Sequence, residues 1–461
     1  MTSNEKTSDK GAFIWIWLPG ETEPVVCGRV VQIENGDHVF IYGRSYLGNE
    51  NAISIFQEEL PLNAEEHYPL EGLKLAGCLR DASPDAWGRR VILNKLTGRV
   101  DNVDLLSEIE YFLNSGSDRI GALDFQKSAE VYIPRESSEA SLEELISAAK
   151  LVEEGVPLTQ ELAKALYHGT ALGGARPKAL IKDGETKYIS KFSASGDVYS
   201  VVKAEFLSMR LASKLGLNVA NAKLVEAAGK DVLLIERFDR EFCQDGWKRK
   251  LLLSALTLFK LDEMLARYAS YIELAEIIRI KFNEPSTTLK ELFGRLVFNI
   301  LCGNTDDHAR NHAAFWDGEN YSLTPAYDIC PQYRAGNESS QAMTIYKDKD
   351  GASNLSLLEN AIKSCAHFSL TEAAAVELIV KQRDCPVRKS YCQPQIRRVQ
   401  SRLVKDPRSP KEIQVTFTLL TPINMALSPT MRERTGARIP QLIDDKSMSL
   451  LGRPEIALVL H

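Results

Sequence analysis

Phe13-Ile14-Trp15-Ile16-Trp17-Leu18 is a dense β-branched and aromatic run that stops at Pro19-Gly20. Val25–Ile33 and Val39–Tyr42 follow on either side of an Asn35-Gly36 turn signal. The pattern predicts a small antiparallel sheet or partial barrel over residues 13–42, with the aromatic run as buried strand. Beyond residue 80 the spacing turns helical. Asp81-Ala82-Ser83-Pro84-Asp85 has the composition of a helix start, with Asp or Ser as N-cap and Pro near the first turn. Leu105, Leu106, Ile109 and Phe112/Leu113 recur at helical spacing, and the polar stretch 133–142 reads as a linker. Ser141-Leu142-Glu143-Glu144 fits a capping box opening the next helix.

Gly169–Lys178 is a loop of small residues that leads into Ala179–Ile181, an Asp183-Gly184 turn and Lys187–Phe192, a hairpin hung on a glycine-rich loop. A helix is predicted at roughly 201–215, with Phe206, Met209, Leu211 and Leu215 at apolar positions and Gly216 just past its end. A second hairpin covers Ala222–Glu226 and Val232–Glu236, turning at Ala228-Gly229-Lys230. From about 247 to 404 the pattern is mainly helical, with helices predicted at Leu251–Phe259, Leu274–Ile280, Leu289–Leu301 and Ala373–Val380. Two short strands, Ala313–Trp316 and Tyr321–Thr324, interrupt it around Asp317-Gly318. The tail holds an alternating run, Val415–Leu419, and a Pro- and Arg-containing stretch that fits no element.

The 461 residues suffice for two to four domains with real cores. A composition 44% hydrophobic and 26% charged excludes a largely disordered, collagen-like or membrane-embedded chain. No apolar run approaches the ~20 residues that span a bilayer. The polar start, Met1–Lys6, is no secretory signal, so the expected location is cytoplasmic. Lys and Arg number 56 against 62 Asp and Glu, and the net charge of −6 argues against tight non-specific binding of nucleic acid. The eight cysteines form no C-x-x-C pair and read as reduced thiols. A zinc site from Cys385, Cys392 and His367 fits no structural zinc spacing.

The strongest chemical signal is Asn304-Thr305-Asp306-Asp307-His308-Ala309-Arg310-Asn311, directly after an apolar helix. Asp306 and Asn311 stand five positions apart, and Asp328 follows the two short strands. Phosphoryl transfer from magnesium-ATP needs such a set: a carboxylate to orient and deprotonate the acceptor hydroxyl, and an amide oxygen and second carboxylate to hold Mg2+. The same residues also suit a plainer role as loop and helix caps. The first half supplies companion parts: the glycine-rich loop, Lys191 at the end of the second strand, Glu205 on the next helix in place to pair with that lysine, and Leu234–Phe238 as a hinge before the helical half. Each alone reads equally well as surface charge or plain turn; their order is harder to explain that way. No Walker A and no G-x-G-x-x-G is present, so the chain is neither a P-loop NTPase nor an ordinary protein kinase by sequence.

Leu79–Arg90, Gly173-Gly174-Ala175-Arg176-Pro177-Lys178, Ile235–Arg240, Gly303–His312 and Leu323–Asp328 together resemble the HipA family of bacterial serine/threonine kinase toxins. The resemblance spans most of the chain to about 330 and is looser to about 404. It implies an α+β, two-lobed protein-kinase-like fold: a β-rich N-terminal module over 1–130, a sheet lobe with the glycine-rich loop over 145–245, a helical lobe with the catalytic loop over 246–408, and a tail of unassigned role over 409–461. By position it implies Asp306 as catalytic base, Asn311 and Asp328 as magnesium ligands, and His308 beside the phosphates or as a structural loop residue. Lys191 would contact the nucleotide phosphates, with Lys178, Gly173 and Gly174 in the glycine-rich loop, and Glu236, Arg237 and Phe238 would form the adenine hinge. Leu79–Arg90 would be a helix docked on the kinase core, with no chemistry of its own.

Family members carry a serine in the glycine-rich loop whose autophosphorylation expels the loop. The aligned position is Ala171, so self-inactivation is expected to be lost or moved to the adjacent Thr170. The resemblance also implies ATP and Mg2+ as cofactors, a small helix-turn-helix antitoxin (HipB-like) as partner, DNA reached only through it, and a protein substrate, for which aminoacyl-tRNA synthetases are the family's recurring kind. Two other readings compete. One is a small-molecule phosphotransferase, against which the GGARPK loop and the β-rich start argue. The other is a pseudokinase corepressor, against which Asp306, Asn311, Asp328 and Lys191 argue.

Overall fold

Gly11–Ile16 (β1), Val25–Gln32 (β2), His38–Tyr42 (β3) and Leu123–Gln126 (β4) form an antiparallel sheet in the order β3-β2-β1-β4. The structure, a computed structural model, describes residues 11–384 apart from 99–101, 136–139, 160–161, 163–165, 167–169, 171, 173, 195, 198, 333–338 and 350, together with 400–405 and 412–417. Four helices lie between β3 and β4: Arg44–Leu47 (α1), Gly77–Arg80 (α2), Ala86–Thr97 (α3) and Glu108–Asn114 (α4). The helix start read at Asp81–Asp85 is resolved into a turn followed by α3, with Asp85 at the N-cap position.

Leu142–Glu153 (α5) opens with the expected capping box: the Ser141 hydroxyl accepts the Glu144 N–H, and the Glu144 carboxylate accepts the Ser141 N–H. Lys178–Asp183 (β5), Thr186–Phe192 (β6), Ala222–Ala227 (β7) and Lys230–Glu236 (β8) form a second antiparallel sheet, ordered β5-β6-β8-β7, with Val201–Lys214 (α6) between β6 and β7 in the chain. Ala228 and Gly229 both take positive φ (50° and 71°), the pattern a two-residue hairpin turn requires.

Arg240–Cys243 (β9) and Gly246–Arg249 (β10) pair as a ribbon, and Leu251–Ser254 (β11) follows. The structure corrects the helix read at Leu251–Phe259. Its first half is a strand, because Leu251–Ser254 pairs with Ala313–Trp316 (β12), which pairs in turn with Tyr321–Leu323 (β13). Only Ala255–Leu258 (α7) is helical, capped by the Ser254 hydroxyl. Tyr271–Lys281 (α8), Pro285–Cys302 (α9), Leu358–Ser364 (α10) and Glu372–Arg383 (α11) complete the helical region. Of the tail, Gln400–Lys405 and Glu412–Phe417 pair antiparallel; the rest of 409–461 lies outside the described residues.

The described buried apolar residues fall into three clusters. The largest joins Ile14, Ile16 and Phe125 of the first sheet to Leu253, Tyr271, Leu292, Phe293 and Val297 of the helical region. The first sheet therefore shares its core with the chain's second half. A second cluster sets Trp87 and Val91 of α3 with Leu145 and Ala149 of α5 against Ala179, Phe192 and Val232 of the second sheet. The third packs Met209 and Ala212 of α6 with Leu233, Ile235, Phe298, Ala326 and Ile329. Helix and antiparallel sheet are mixed as expected, and no helix of the described residues is long and apolar enough to cross a membrane.

Candidate active site

Helix α9 buries Leu289, Leu292, Phe293, Leu296, Val297 and Ile300, and it ends at Gly303, whose φ of 80° only a residue without Cβ adopts freely. The chain then turns into the loop Asn304–His312. Its adjacent aspartates part there. Asp307 is buried and accepts from Asn299 Nδ2 at 2.7 Å, His312 Nε2 at 2.9 Å and the Tyr271 hydroxyl. Burial opposes its charge, but the His312 ring and the Tyr271 hydroxyl outweigh it and hold the carboxyl below its ordinary value.

Asp306 faces solvent. Partial loss of water, with the Asp328 and Asp307 charges adding to it, pushes its carboxyl up. Its carbonyl accepts the His308 N–H at 2.9 Å and Asn311 Nδ2 at 3.1 Å, which leaves Oδ1 as the acceptor of that buried amide. His308 Nδ1 is buried without a hydrogen-bond partner.

The β12–β13 hairpin returns the chain to Asp328, a non-glycine residue held at φ 57°. Such a conformation costs of order 1–3 kcal/mol and persists where neighbours impose it. Here Ala326 N–H bonds Asn218 O at 2.8 Å, the Tyr327 hydroxyl donates to Arg310 O at 2.7 Å, and Gln332 N–H donates to Gly303 O at 3.0 Å. Lys191, near the end of β6, places its ammonium 2.6 Å from Glu205 of α6 and 2.5 Å from Asp328. Burial works against that ammonium, yet the Asp328 and Glu205 carboxylates outweigh it and hold its pKa above the ordinary lysine value. In the same triad burial raises Glu205, whereas Lys191 overcomes burial at Asp328 and holds that carboxyl well below the usual range. Lys178 stands opposite Lys191 across the β5–β6 pair; burial first, and then the Lys191 charge, brings it down to about 8.

In the glycine-rich loop, Gly174 has φ 100°, a conformation that favours glycine, and the Lys178 ammonium lies close against it. Gly173 and Ala171 lie outside the described residues. Thr170 is fully buried, and its hydroxyl accepts the Gly116 N–H at 3.1 Å, so in this arrangement it faces no phosphate donor. At the hinge, the N–H groups of Glu236 and Arg237 already bond Asn221 O and Lys187 O, each at 2.8 Å. The Phe238 ring packs 5.9 Å from Phe315 and 5.6 Å from Tyr327. The Arg237 side chain, read as part of the hinge, points elsewhere: it is buried against Asp118 and Asp239 at 3.0 and 2.7 Å.

Residues 170–390 match the family model described as HipA-like C-terminal domain. The "Serine/threonine-protein kinase toxin HipA" of Shewanella oneidensis is 29% identical over 147 residues, 28% of this chain and 34% of that one. "Putative kinase Y4mE" of Sinorhizobium fredii is 24% identical over 333 residues, 68% of this chain and 76% of that one. The fold matches a chain of the solved Shewanella oneidensis MR-1 complex of HipA, HipB and operator DNA with a TM-score of 0.59 at 18% identity, covering 80% of this chain and 88% of that one. Residues 170–390 are thus a HipA-like C-terminal domain.

The donor set of this site suits magnesium held largely by phosphate. Among the described residues no group of three or more His, Cys, Asp and Glu side chains could cage a metal. Mg2+ that keeps phosphate and water oxygens needs only one or two protein ligands, which the Asn311 amide oxygen and the Asp328 carboxylate can supply. The unpartnered His308 Nδ1 is a buried polar atom of the same loop. The zinc reading falls largely outside the described residues: of Cys385, Cys392 and His367 only His367 is described, with Nδ1 3.8 Å from Glu276. The sequence reading missed Asp307, Arg310 and Asp85. Asp307 was legible only as the second of two aspartates, since its partners Tyr271 and Asn299 come from α8 and α9.

Proposed function

We propose that this protein belongs as a whole to the HipA family and is a magnesium- and ATP-dependent kinase that phosphorylates serine or threonine on a cellular protein. The observation that carries the reading is the Lys191 ammonium held between Glu205 and Asp328, beside a loop that turns Asp306 to solvent and fixes the Asn311 amide. Bound magnesium-ATP would supply the phosphoryl group and the counter-charge for its transfer. Asp306 accepts the proton of the acceptor hydroxyl, and its raised pKa makes it a stronger base than an ordinary aspartate. Asn311 and Asp328 would hold the metal. Lys191 keeps Glu205 and exchanges Asp328 for phosphate oxygens, with Lys178, the glycine-rich loop at Gly173-Gly174 and His308 as neighbours. The adenine edge is met at the Glu236–Phe238 hinge by Phe238, because the two preceding N–H groups are occupied.

By likeness to the Shewanella oneidensis complex, we propose a helix-turn-helix antitoxin of the HipB kind as partner, with operator DNA reached through it. The substrate class proposed is an aminoacyl-tRNA synthetase, modified in the cytoplasm to arrest growth. With Ala171 in place of the loop serine and Thr170 buried, self-silencing by loop phosphorylation is absent.

The test is phosphate transfer from labelled magnesium-ATP into a bacterial lysate. Labelled bands are expected with this chain and are lost with Asp306→Asn, since a positioned base contributes about 10²–10⁴-fold. Equal labelling by the variant, or no labelling while nucleotide binds, overturns the reading in favour of a small-molecule phosphotransferase or a pseudokinase corepressor.

A further inference from the structure

Asp85 stands at the N-cap position of α3, but its carboxylate caps nothing in that helix. One oxygen accepts the main-chain N–H of Gly174 in the glycine-rich loop, and the other accepts from the Arg310 guanidinium. Arg310 sits between His308 and Asn311; its other arm reaches Glu263 at 2.7 Å, and its carbonyl takes the Tyr327 hydroxyl one residue before Asp328. The same helix start grips the loop again and again. Trp87 N–H donates to Gly174 O at 3.3 Å, Trp87 Nε1 to Lys178 O at 3.0 Å, and Arg90 to Ala175 O at 2.7 Å. At Gly88 a Cβ would lie 1.9 Å from Thr170 O, so helix and loop touch backbone to backbone.

We propose that Asp85 is a positioning residue that ties the glycine-rich loop to the catalytic loop, so that the N-terminal region sets the readiness of the loop for phosphate. The inference rests on the kinase reading above. A glycine-rich loop offers its N–H groups to phosphate only while its backbone is held. Left alone, the glycines of such a loop lose more conformational freedom on ordering than other residues would. The carboxylate supplies part of that ordering beforehand, with one charge-assisted contact to the glycine-rich loop and a second to Arg310 that anchors it. Lys191, which pairs with Glu205 and Asp328, keeps its reach toward the phosphates. The opposite role, an acidic side chain sitting where phosphate should bind, is what the test excludes.

The full chain is compared with Asp85→Ala and Asp85→Asn. Hydrogen exchange of peptides covering 169–180 is followed without nucleotide, magnesium-ATP affinity is titrated, and a thermal melt serves as the folding control. Loss of a hydrogen bond to a charged group predicts about tenfold or more faster exchange at Gly174 and about tenfold weaker ATP binding in Asp85→Ala. KM for ATP rises, whereas kcat at saturating ATP changes less than about threefold. Asp85→Asn keeps an acceptor for Gly174 and is expected to fall between. Unchanged exchange, or ATP binding that is unchanged or tighter in a normally melting Asp85→Ala, overturns the proposal. Should Asp85→Ala fail to fold, Arg310→Gln frees the same carboxylate from the other loop and is expected to speed exchange at Gly174 and weaken ATP binding in the same direction; unchanged values overturn the proposal. If the unmodified chain binds no ATP, the kinase reading fails, and the exchange measurement still decides whether Asp85 orders the loop.

Discussion

Asp306 and Asp307 are chain neighbours with opposite surroundings, and this decides what each substitution does. Asp307 accepts three hydrogen bonds from Tyr271, Asn299 and His312, and these hold its carboxyl below the ordinary value. The three donors share Oδ2, so Asp307→Asn can keep an oxygen toward them but removes its charge, and it is expected to cost ~1.5–3 kcal/mol of stability, read by denaturant melts. Asp306 is the reverse case: its raised pKa means the folded protein disfavours its charge at neutral pH. Asp306→Asn is therefore expected to leave stability unchanged or slightly higher while phosphate transfer is lost. Equal destabilisation by the two variants would remove the distinction between anchor and base. Lys178 offers a pH test. Its ammonium, at about 8, is charged below that pH and neutral above. In its proposed role, nucleotide affinity declines as pH rises through about 8, and Lys178→Met removes the decline along with part of the affinity.

Elements whose signals are local were legible in the sequence, and those fixed by distant partners were not. The Ser141–Glu144 capping box and the Ala228-Gly229 turn are decided within four residues, and both form as read. Leu251–Phe259 has helical apolar spacing, but Leu251–Ser254 is a strand because β12, about sixty residues later in the chain, supplies its ladder. Asp85 looked like a cap, and its carboxylate instead serves two loops 89 and 225 residues away. The order of Lys191, Glu205, Asp306, Asn311 and Asp328 along the chain was legible, as was the pairing of Lys191 with Glu205. The second pairing, with Asp328, was not, since it joins different parts of the fold. For α3 the consequence is specific. Gly88→Ala places a methyl against the Thr170 carbonyl, where backbone rather than a flexible side chain must move. It is expected to destabilise the protein by more than ~1 kcal/mol, although Gly→Ala in an open helix position is stabilising. A melt at or above that of the unmodified chain would show that α3 and the loop do not approach this closely.

At the scale of the whole molecule, the first sheet and the second are joined by buried charge. Asp118, just before β4, takes Arg237 at 3.0 Å, Arg240 at 2.9 Å and Lys187 at 2.7 Å. Asp239 takes Arg237 at 2.7 Å and Arg240 at 3.1 Å, and it also accepts the Gly121 N–H at 2.8 Å. Burial opposes the Asp239 charge, but Arg237 and Arg240 overcome it and hold the carboxyl at about 2, against 3.8 for a free aspartate. Asp118 is lowered in the same way by Arg237, Arg240 and Lys187. A carboxyl depressed in the folded state contributes stability that is complete above its unfolded value and is lost as pH falls toward its folded one. For Asp239 that window runs from 3.8 down to about 2. Stability measured by urea melts is therefore expected to fall steeply below pH 4, and the slope is shallower in Asp239→Asn. At pH 7 that variant leaves Arg237 and Arg240 short of a buried counter-charge and is expected to lose ~3–5 kcal/mol. Arg119, whose carbonyl accepts from Arg237 and Arg240, donates to Ala82 O at 3.0 Å, three residues before Asp85, so loosening the junction reaches the glycine-rich loop as well: Asp239→Asn is expected to speed amide exchange in 169–180, and exchange unchanged there would confine the network to holding the sheets together.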